Sequence, residues 1–277
     1  MTFDYLIVIL SYNHPELTKK TVDSVLSFGF PPAQTLLIHN GSDPKNVNYL
    51  KTTFSEIEHV SVSENKGYTG GANFGLNHGF SKNNSILFLT NDTEVLRLPE
   101  TFPNDTDLFS ILISKRNSAT IDSLFGEVNL RTGALKHVRQ LSSVKQKDHI
   151  KMYIPGTAFG ITKKAFHILN GFDETYHTYW DDVDLSLRAQ QMHLRLGYQS
   201  GFQVKHKIGK TCHKHRFYTL YLFQRNKQRF LKRFSVSKLS FVFYYLEMLR
   251  LGFVILRRPK RKDQIHFWWK ALRDQSI

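Results

Sequence analysis

YLIVILSYN (residues 5–13) is a run of large apolar residues that ends abruptly in polar ones. Runs of this kind are typical of strands buried on both faces of a parallel sheet. Similar strand-like segments follow at residues 35–39, 59–63 and 86–90, and helical patterns separate them. This alternation predicts an α/β fold with a Rossmann-like, mostly parallel central sheet that is flanked by helices on both faces.

The remaining sequence has weaker signals. Residues 108–153 show poor periodicity and predict short strands and loops, with a hairpin near Gly133. A short helix is predicted over 163–169, and another from Asp181 to about Leu196. Beyond Phe217, three helical patterns rich in Lys, Arg and aromatic residues complete the chain.

Polar clusters stand where three of the predicted strands end. Ligands of such sheets bind beyond the carboxyl ends of the strands, so these clusters are candidates for a binding site. The clusters are Ser11, Tyr12 and Asn13; His39 and Asn40; and Asn91 and Asp92. A carboxylate at a strand end holds a hard divalent cation whose other ligands are diphosphate oxygens and water. Asp92 is therefore a candidate metal ligand, and an Asx turn that closes the strand is the structural alternative.

A glycine-rich segment, NKGYTGGAN (residues 65–73), is the second candidate. Glycines let the backbone approach a ligand, and a helix that begins here would direct its amides at phosphate or ribose. The candidate ligand-binding positions are Asn65, Gly67, Gly70, Gly71 and Asn73. The spacing differs from the dinucleotide-binding fingerprint, and a tight turn explains the same composition.

Three acids, Asp181, Asp182 and Asp184, open the predicted helix that follows Trp180. Acids in a first helical turn are favoured by the helix dipole, but three so close together repel one another. Asp184 lies four residues before Arg188 and is expected to pair with it. Asp182 is then free to face the cleft as a general base for an acceptor hydroxyl.

Histidines near the end of the last predicted strand, 203–206, are the other chemical candidates. His206 is positioned to complete the metal or diphosphate site, although isolated histidines are more often packed in a core. Cys212, His213 and His215 suggest zinc, but their spacing matches no standard zinc site. Cys212 is the only cysteine, so it forms no intramolecular disulfide and favours a reducing compartment.

Charge divides the chain into two parts. From Gln203 to Ile277 there are 19 Lys and Arg against 3 Asp and Glu, a net +16, whereas the whole chain carries +15. We therefore expect a catalytic domain over residues 1–215 and a basic helical region over residues 216–277. The basic region implies an anionic partner, either a membrane surface or nucleic acid.

An apolar stretch from Leu239 to Leu256, flanked by basic residues, suits a helix that lies on an anionic interface. A buried helix or a homodimer contact is the alternative. The nucleic-acid alternative would use aromatic side chains for stacking, namely Phe217, Tyr218, Tyr221, Trp268 and Trp269.

Taken in order, these segments resemble family 2 glycosyltransferases of the GT-A fold, particularly their rhamnosyltransferase-like branch. The likeness covers about residues 4–230. The segments that carry it, quoted from this chain, are VILSYN (8–13), IHNGS (38–42), NKGYTGGAN (65–73), LTNDTE (89–94), PGTA (155–158), GFDE (171–174), DDVDLSLR (181–188), His206 and Arg225-Asn226.

The resemblance implies that Asp92 is the metal-binding acid of an Asp-x-Asp-like motif, reduced here to Asn91-Asp92. It also implies that Asp182 is the catalytic base, and that Tyr12, Asn40, Gly71 and Asn73 line the nucleotide pocket. Where the family usually has an Asp that recognises the base, this chain has His39. The identity of the nucleotide is therefore left open, with rhamnose from a thymidine diphosphate donor as one candidate.

The sequence thus predicts an inverting glycosyltransferase that uses Mg²⁺ or Mn²⁺ and a nucleotide diphosphate-sugar. The expected acceptor is a saccharide or lipid-linked saccharide in polysaccharide or glycolipid synthesis. No signal peptide pattern opens the chain, so a cytoplasmic protein, peripheral at the inner face of the membrane, is expected. A nucleotidyltransferase of similar fold is the alternative enzyme, but residues 11–15 lack the Lys and Arg that a triphosphate needs.

Overall fold

The computed structural model describes residues 3–115, 120–144, 147–206, 216–257 and 264–273. Within these residues the chain forms twelve strands and eight α-helices. The strands are β1 (Leu6–Ser11), β2 (Thr35–Asn40), β3 (Glu58–Val62), β4 (Ser85–Thr90), β5 (Thr93–Arg97), β6 (Leu108–Lys115), β7 (Ile121–Ser123), β8 (Phe125–Asn129), β9 (Ala134–Val138), β10 (Ile150–Tyr153), β11 (Ala158–Thr162) and β12 (Leu196–His206). The helices are α1 (Pro15–Leu26), α2 (Pro44–Thr53), α3 (Gly67–Phe80), α4 (Lys163–Leu169), α5 (Asp181–Gln191), α6 (Arg216–Phe234), α7 (Leu239–Leu256) and α8 (Gln264–Arg273).

The main sheet has the order β3-β2-β1-β4-β11-β6-β12-β5, with β7 paired to β6. The run β3-β2-β1-β4 is parallel, as are β6 and β12. Strand β11 runs antiparallel between β4 and β6, and β5 runs antiparallel to β12. The predicted α/β architecture is confirmed, and the sheet is mixed because β5, β7 and β11 run opposite to its other strands.

Two apolar layers cover the main sheet, because alternate side chains of each buried strand face opposite sides. One layer packs α1 and α2 against residues such as Ile7, Ile9 and Leu37. The other packs α3, α4 and α5 against residues such as Val8 and Ile38. Because β1 pairs in parallel with both β2 and β4, the carboxyl ends of these three strands lie side by side at one open edge of the sheet.

The region between Leu108 and Tyr153 is more regular than its sequence pattern indicates. It contains β6 to β10, and β10, β8 and β9 form a separate three-stranded antiparallel sheet. The predicted hairpin is confirmed: Asn129 pairs with Ala134, and Gly133 takes a left-handed conformation with φ 65°.

Helix α5 ends at Gln191, so the expectation that it reaches Leu196 is wrong. His193 turns the chain with φ 55°, and Leu196 already begins β12. A turn residue that is not glycine gives no stop signal in the sequence, which explains the difference. Strand β12 is longer than predicted because a register shift between Gln199 and Gln203 interrupts its pattern.

The three expected C-terminal helices are present as α6, α7 and α8. A third apolar cluster joins them to α5, the small sheet and the loop before α5, with Trp180, Tyr176 and Phe230 among its buried members. The predicted boundary at residue 215, together with Cys212, His213 and His215, falls outside the described residues. The division into two domains stays a prediction.

Candidate active site

Ser11 and Asn91 are linked through the Thr18 hydroxyl, and Asn91 also bonds to Asn13, at the open edge of the sheet. The Asn91 side-chain amide donates to the Thr18 hydroxyl at 3.0 Å and to the Asn13 carbonyl at 3.4 Å. The Ser11 and Thr18 hydroxyls are 2.8 Å apart, and the Asn91 N–H donates to the Leu10 carbonyl at 3.1 Å. These bonds hold the end of β1 to the end of β4, immediately before Asp92.

The segment after β1 is turned sharply outward. Asn13 and His14 both have φ 51°, a left-handed conformation that asparagine tolerates. The Asn13 side-chain oxygen accepts bonds from the Asp43 N–H at 3.0 Å and the Asn46 amide at 3.1 Å. Tyr12 is left 37% exposed, so its ring is accessible at the mouth of the edge.

Asn40 holds the loop that leads into α3. Its amide donates to the Gly67 carbonyl at 2.8 Å and to the Asn65 side-chain oxygen at 3.2 Å. Its own oxygen accepts from the Lys66 N–H at 3.1 Å. The Asn65 oxygen also accepts from the Gly67 N–H at 2.8 Å. In this structure Asn40 and Asn65 are thus bonded to the protein, and their contact with a nucleotide stays a prediction.

The glycines of this segment are required by close packing. A Cβ on Gly71 would lie 2.7 Å from the Asn40 amide nitrogen, and one on Gly70 would lie 2.7 Å from the Lys66 Cβ. Gly67 has φ 71°, and its Cα faces the ring of His177. These close approaches explain why glycine occupies these positions without any contact to a ligand.

Asn73 ties α3 to the loop after α4. Its amide donates to the Phe172 carbonyl at 2.9 Å and to Glu174 Oε1 at 3.0 Å, and its oxygen accepts from the Phe172 N–H at 2.7 Å. Asn73 is 9% exposed. Both N–H groups of its amide and its side-chain oxygen bond to the protein, and its nucleotide-binding role stays a prediction.

His39 is fully buried and lies against His59 on the face of the sheet that α2 covers. The two rings stack with 5.2 Å between centroids, and His39 Nε2 is 2.9 Å from His59 Nδ1. His59 Nε2 is 3.0 Å from the Phe54 carbonyl, which only an N–H can satisfy. Burial, followed by the neighbouring His59, lowers the pKa of His39 to about 4. The structure places neutral His39 in the interior, and base recognition by it stays a prediction.

Asp92 and His206 meet at the end of β4. Asp92 Oδ2 is 3.2 Å from His206 Nε2, and Asp92 Oδ1 accepts from the Thr90 hydroxyl at 2.7 Å. Strand β12 supplies His206, which pairs in register with Thr93 of β5. Burial alone would raise the pKa of Asp92, but the bonds from His206 and Thr90 outweigh it and hold the pKa below its usual value.

The pair Asp92 and His206 fits a divalent cation. Two ligands at right angles on an octahedral ion are about 3 Å apart, which matches their separation. The carboxylate of Asp92 is a ligand type that suits both Mg²⁺ and Mn²⁺. Among the described residues, no group of three or more His, Cys, Asp and Glu converges on one point. The cation would therefore take its other ligands from diphosphate and water.

Asp182 lies in the first turn of helix α5, within hydrogen-bonding distance of Gly156. Its Oδ2 accepts from the Gly156 N–H at 3.1 Å, and its Oδ1 accepts from the Val183 N–H at 2.9 Å. Burial raises the pKa of Asp182, and these two amides only partly oppose the shift. Asp181 is 4% exposed, and burial followed by the charge of Asp182 raises its pKa well above the usual value.

Asp184 has a structural role, as its spacing from Arg188 predicts. Arg188 Nε donates to Asp184 Oδ2 at 2.6 Å, and Arg233 Nη1 donates to Asp184 Oδ1 at 2.9 Å. Arg188 also donates to the carbonyls of Leu169 and Gly171, at 2.7 and 2.9 Å. Asp182 is the only one of these three acids that is not buried.

One short segment connects the two candidate carboxylates. The Thr157 carbonyl accepts from the Thr90 N–H at 3.0 Å, and the Thr90 hydroxyl binds Asp92. The neighbouring Gly156 donates its N–H to Asp182. Asp92 and Asp182, 90 residues apart in the chain, are therefore both linked to the segment Gly156-Thr157.

Two positioning residues are missing from the set of candidates that the sequence provides. The Tyr68 hydroxyl donates to the Gly156 carbonyl at 2.5 Å, and burial followed by the charges of Asp181 and Asp182 raises its pKa well above the usual value. Tyr68 lies inside the glycine-rich motif, which is the one signal for it. The second residue, Asn226, belongs to the Arg225-Asn226 pair.

Asn226 holds the loop that precedes α5. Its amide donates to the carbonyls of Tyr176, Thr178 and Tyr179, at 2.8, 2.8 and 2.9 Å. This loop is strained, because Tyr179 and Trp180 both have φ 68°. Asn226 is fully buried, so the C-terminal helix α6 helps to set where α5 begins.

The sequence and the fold both match known glycosyltransferases. The model of Glycosyl transferase family 2 matches residues 6–166, which is more than half of the 277 residues. The structure of the mannosyltransferase PcManGT from Pyrobaculum calidifontis, in complex with GDP-Man and Mn²⁺, aligns with a TM-score of 0.55 and 13% identity over 98% of this chain and 74% of that one. No curated protein matches the sequence significantly.

The structure of S. aureus TarS 1-349 in complex with UDP-GlcNAc aligns with a TM-score of 0.56 and 12% identity, over 98% of this chain and 80% of that one. At such low sequence identities the likeness to these two structures concerns the fold. The fold of this chain is that of the GT-A glycosyltransferases. The family model adds sequence evidence over the strands that carry Asp92. The chain belongs to glycosyltransferase family 2.

Proposed function

We propose that this chain is an inverting, metal-dependent glycosyltransferase that moves a hexosyl or rhamnosyl group from a nucleotide diphosphate to an acceptor hydroxyl. The observation that supports the proposal is that Asp92, through Thr90, and Asp182, through the Gly156 N–H, are both linked to the segment Gly156-Thr157. The solved relatives hold GDP-Man with Mn²⁺, and UDP-GlcNAc, in their own sites.

Asp182 is proposed to accept the proton of the acceptor hydroxyl. The acceptor oxygen forms a bond to the anomeric carbon while the bond from that carbon to the diphosphate oxygen breaks, and the electron pair leaves with the diphosphate. Attack from the face opposite the diphosphate inverts the configuration. The raised pKa of Asp182 suits this role, since a base is most effective when its pKa approaches the working pH.

Asp92 and His206 are proposed to hold the divalent cation. When bound, the cation neutralises charge on the diphosphate as it leaves. The low pKa of Asp92 keeps this carboxylate charged and ready to bind the ion. The donor's base and ribose are proposed to lie along Tyr12, Asn40, Asn65 and the glycine-rich turn.

Gly156 and Tyr68 are proposed to keep the base in place. The Gly156 N–H directs Asp182 Oδ2, and the Tyr68 hydroxyl fixes the carbonyl of the same residue. A base held in one orientation transfers protons without having to be ordered first, which raises the rate.

We further propose the division into a catalytic domain, residues 1–215, and a basic helical region, residues 216–277. The proposed acceptor is a saccharide or a lipid-linked saccharide of cell-surface polysaccharide or glycolipid synthesis, and the proposed location is the cytoplasm or the inner face of a membrane. The family assignment favours glycosyl transfer over nucleotidyl transfer.

A thermal-shift screen tests the proposal. Nucleoside diphosphates and their sugar conjugates are added with and without Mn²⁺, because a ligand that binds only the folded state raises the unfolding temperature. We expect one diphosphate to stabilise the protein in the presence of Mn²⁺ and much less in its absence. Equal shifts for every nucleotide, or no dependence on Mn²⁺, would speak against the proposed donor site.

A further inference from the structure

Helix α7 exposes an apolar stripe that the catalytic site does not use. Six large apolar residues lie along it, each between 51% and 67% exposed: Leu239 61%, Val242 51%, Leu246 56%, Leu249 64%, Phe253 56% and Leu256 67%. We refer to these six as the α7 stripe. Contiguous exposed apolar surface of this kind marks a site of interaction with a membrane or another protein.

The opposite side of α7 is packed on the protein. Tyr244 and Met248 are buried in the third apolar cluster with residues of α6 and α8. The Trp268 indole N–H donates to the Met248 carbonyl at 2.7 Å, and the Trp268 ring lies against Gly252. The helix is therefore held along its length against the domain, with the stripe facing away.

Length alone would allow α7 to cross a membrane, since its 18 residues have a mean hydropathy of 1.7. They span about 27 Å, close to the thickness of a bilayer's hydrocarbon core. The packed side decides against a crossing, because leaving the domain would uncover Tyr244 and Met248 and break the bond from Trp268. A helix lying flat in the interface keeps these contacts and still removes the stripe from water.

The stripe's spacing, alternating steps of three and four residues, would also fit a helix from a second copy. The charges beside it decide between the two occupants. Lys238, Arg250 and Arg257 flank the stripe, and Arg257 lies 4.1 Å from the centre of the Phe253 ring. Two copies placed stripe to stripe would bring these cations together, and α7 itself has no acid other than Glu247 to pair with them.

Glu247, the one acid of α7, is already engaged within its own chain. Lys227 Nζ binds Glu247 Oε2 at 2.5 Å, and Gln224 donates to Glu247 Oε1 at 3.2 Å. In α8, the 51% exposed Trp269 has Arg273 5.7 Å from its ring centre. Cations beside aromatic rings at the border of an apolar face match the headgroup level of an anionic bilayer.

We propose that the α7 stripe docks this protein onto an anionic lipid surface, with α7 parallel to the membrane and Lys238, Arg250 and Arg257 contacting lipid phosphates. Helix α6 contacts α7 through Lys227 and the loop before α5 through Asn226, so α7 can dock without any change in these contacts. The inference goes beyond the proposed transfer reaction and stands or fails separately from it.

Vesicle flotation of the full chain tests the docking. Vesicles of equal parts phosphatidylglycerol and phosphatidylcholine are compared with vesicles of phosphatidylcholine alone. We expect binding to the anionic vesicles and a fall in binding on the order of a hundredfold for Leu246→Glu/Leu249→Glu. Ile168→Glu, which places the same charge at a 45% exposed apolar position on α4, is the matched control and is expected to bind normally.

The cations are tested separately from the apolar stripe. Arg250→Gln and Arg257→Gln are each expected to weaken binding to anionic vesicles about fivefold. Asp182→Asn is expected to bind vesicles like the native chain while losing transfer, so failure of docking and failure of the proposed reaction give different results.

Three outcomes would overturn the proposal. Unchanged vesicle binding in Leu246→Glu/Leu249→Glu would remove the stripe from the interface. A native dimer in light scattering that this variant converts to a monomer would assign the stripe to a second copy. Binding to an oligonucleotide together with no binding to anionic vesicles would assign the basic helices to nucleic acid.

Discussion

The end of β4 and the start of α5 present the same side chain in opposite surroundings. Asp92, at the end of β4, is held by His206 and Thr90, which keep its pKa below the usual value. Asp182, at the start of α5, is half-buried and accepts hydrogen bonds from two backbone amides, and its pKa is raised. The proposed mechanism uses this difference: the carboxylate with the lowered pKa would bind the cation, and the one with the raised pKa would take up the proton.

The largest expected effect comes from Asp182→Asn, which removes the proton acceptor while keeping a side chain of nearly the same volume. We expect kcat to fall on the order of a thousandfold, while the Mn²⁺-dependent affinity for the nucleoside diphosphate changes little. Initial rates and calorimetric titration measure the two quantities. Asp23→Asn, at an exposed ion pair with Lys19, is the control. An equal loss of rate and affinity would remove the distinction between the two carboxylates.

Asp92→Asn tests the other half of the comparison. Loss of the charged ligand is expected to weaken nucleotide binding in Mn²⁺ on the order of a hundredfold, with little change when a chelator is present. His206→Ala is expected to act in the same direction with a smaller effect. If titration showed native affinity in Mn²⁺ for Asp92→Asn, the ion would have to bind elsewhere.

Asn226→Ala releases the loop that sets the position of Asp182. We expect kcat to fall between about tenfold and a hundredfold, because small displacements of a catalytic group have effects of this size. The donor's affinity should persist, since Asp92 lies on the sheet. Gln224→Ala is the control, a 4% exposed residue of the same helix that binds Glu247. Comparable loss of kcat in both variants would indicate a general effect on α6.

The acid limb of the pH profile gives a smaller, graded effect. Because burial raises the pKa of Asp182, the base becomes protonated above the usual carboxyl range of about 4. We expect kcat to fall about tenfold for each pH unit below that raised pKa. The measurement is kcat against pH at saturating donor and Mn²⁺. A fall in kcat that began only at the ordinary carboxyl pKa would contradict a raised pKa for Asp182.

Replacing Asp182 and replacing Asp92 are expected to change the free energy of unfolding in opposite directions. Folding raises the pKa of Asp182, so its ionised form opposes folding above that pKa, and the penalty disappears as the pH falls through it. We therefore expect Asp182→Asn to stabilise the protein at neutral pH by roughly 1 kcal/mol. Asp92→Asn loses charge-assisted bonds and is expected to destabilise it by about 1–3 kcal/mol. Denaturant unfolding at neutral pH measures both, and equal signs would contradict the comparison.

The sequence predicted the parts of the site that depend on local pattern. Asp92 follows a buried strand, and Asp182 opens a helix in which Asp184 pairs with Arg188, so their positions were readable from spacing. The bonds of Asn40 and Asn73 to the loops around them were not readable, because those partners lie across the fold. The same applies to Tyr68 and Asn226, whose roles depend on contacts 88 and about 50 residues away.

Fold prediction failed where a local signal was weak or interrupted. Helix α5 stops at a left-handed His193 instead of a glycine, so its apolar period seemed to continue. Strand β12 contains an irregular stretch before Gln203, which hid its first half. The strands β6 to β10 are short and their pairing is set by partners elsewhere in the chain, which a periodicity within one segment does not report.

A crystal structure of the protein with Mn²⁺ and a nucleotide diphosphate-sugar, with anomalous scattering to locate the ion, tests the central claim most directly. We predict a manganese peak beside Asp92 and His206, with the diphosphate on it and the sugar's anomeric carbon turned towards Asp182. A manganese peak away from Asp92, or a sugar on the far side of Gly156-Thr157 from Asp182, would contradict the assignment of the two carboxylates.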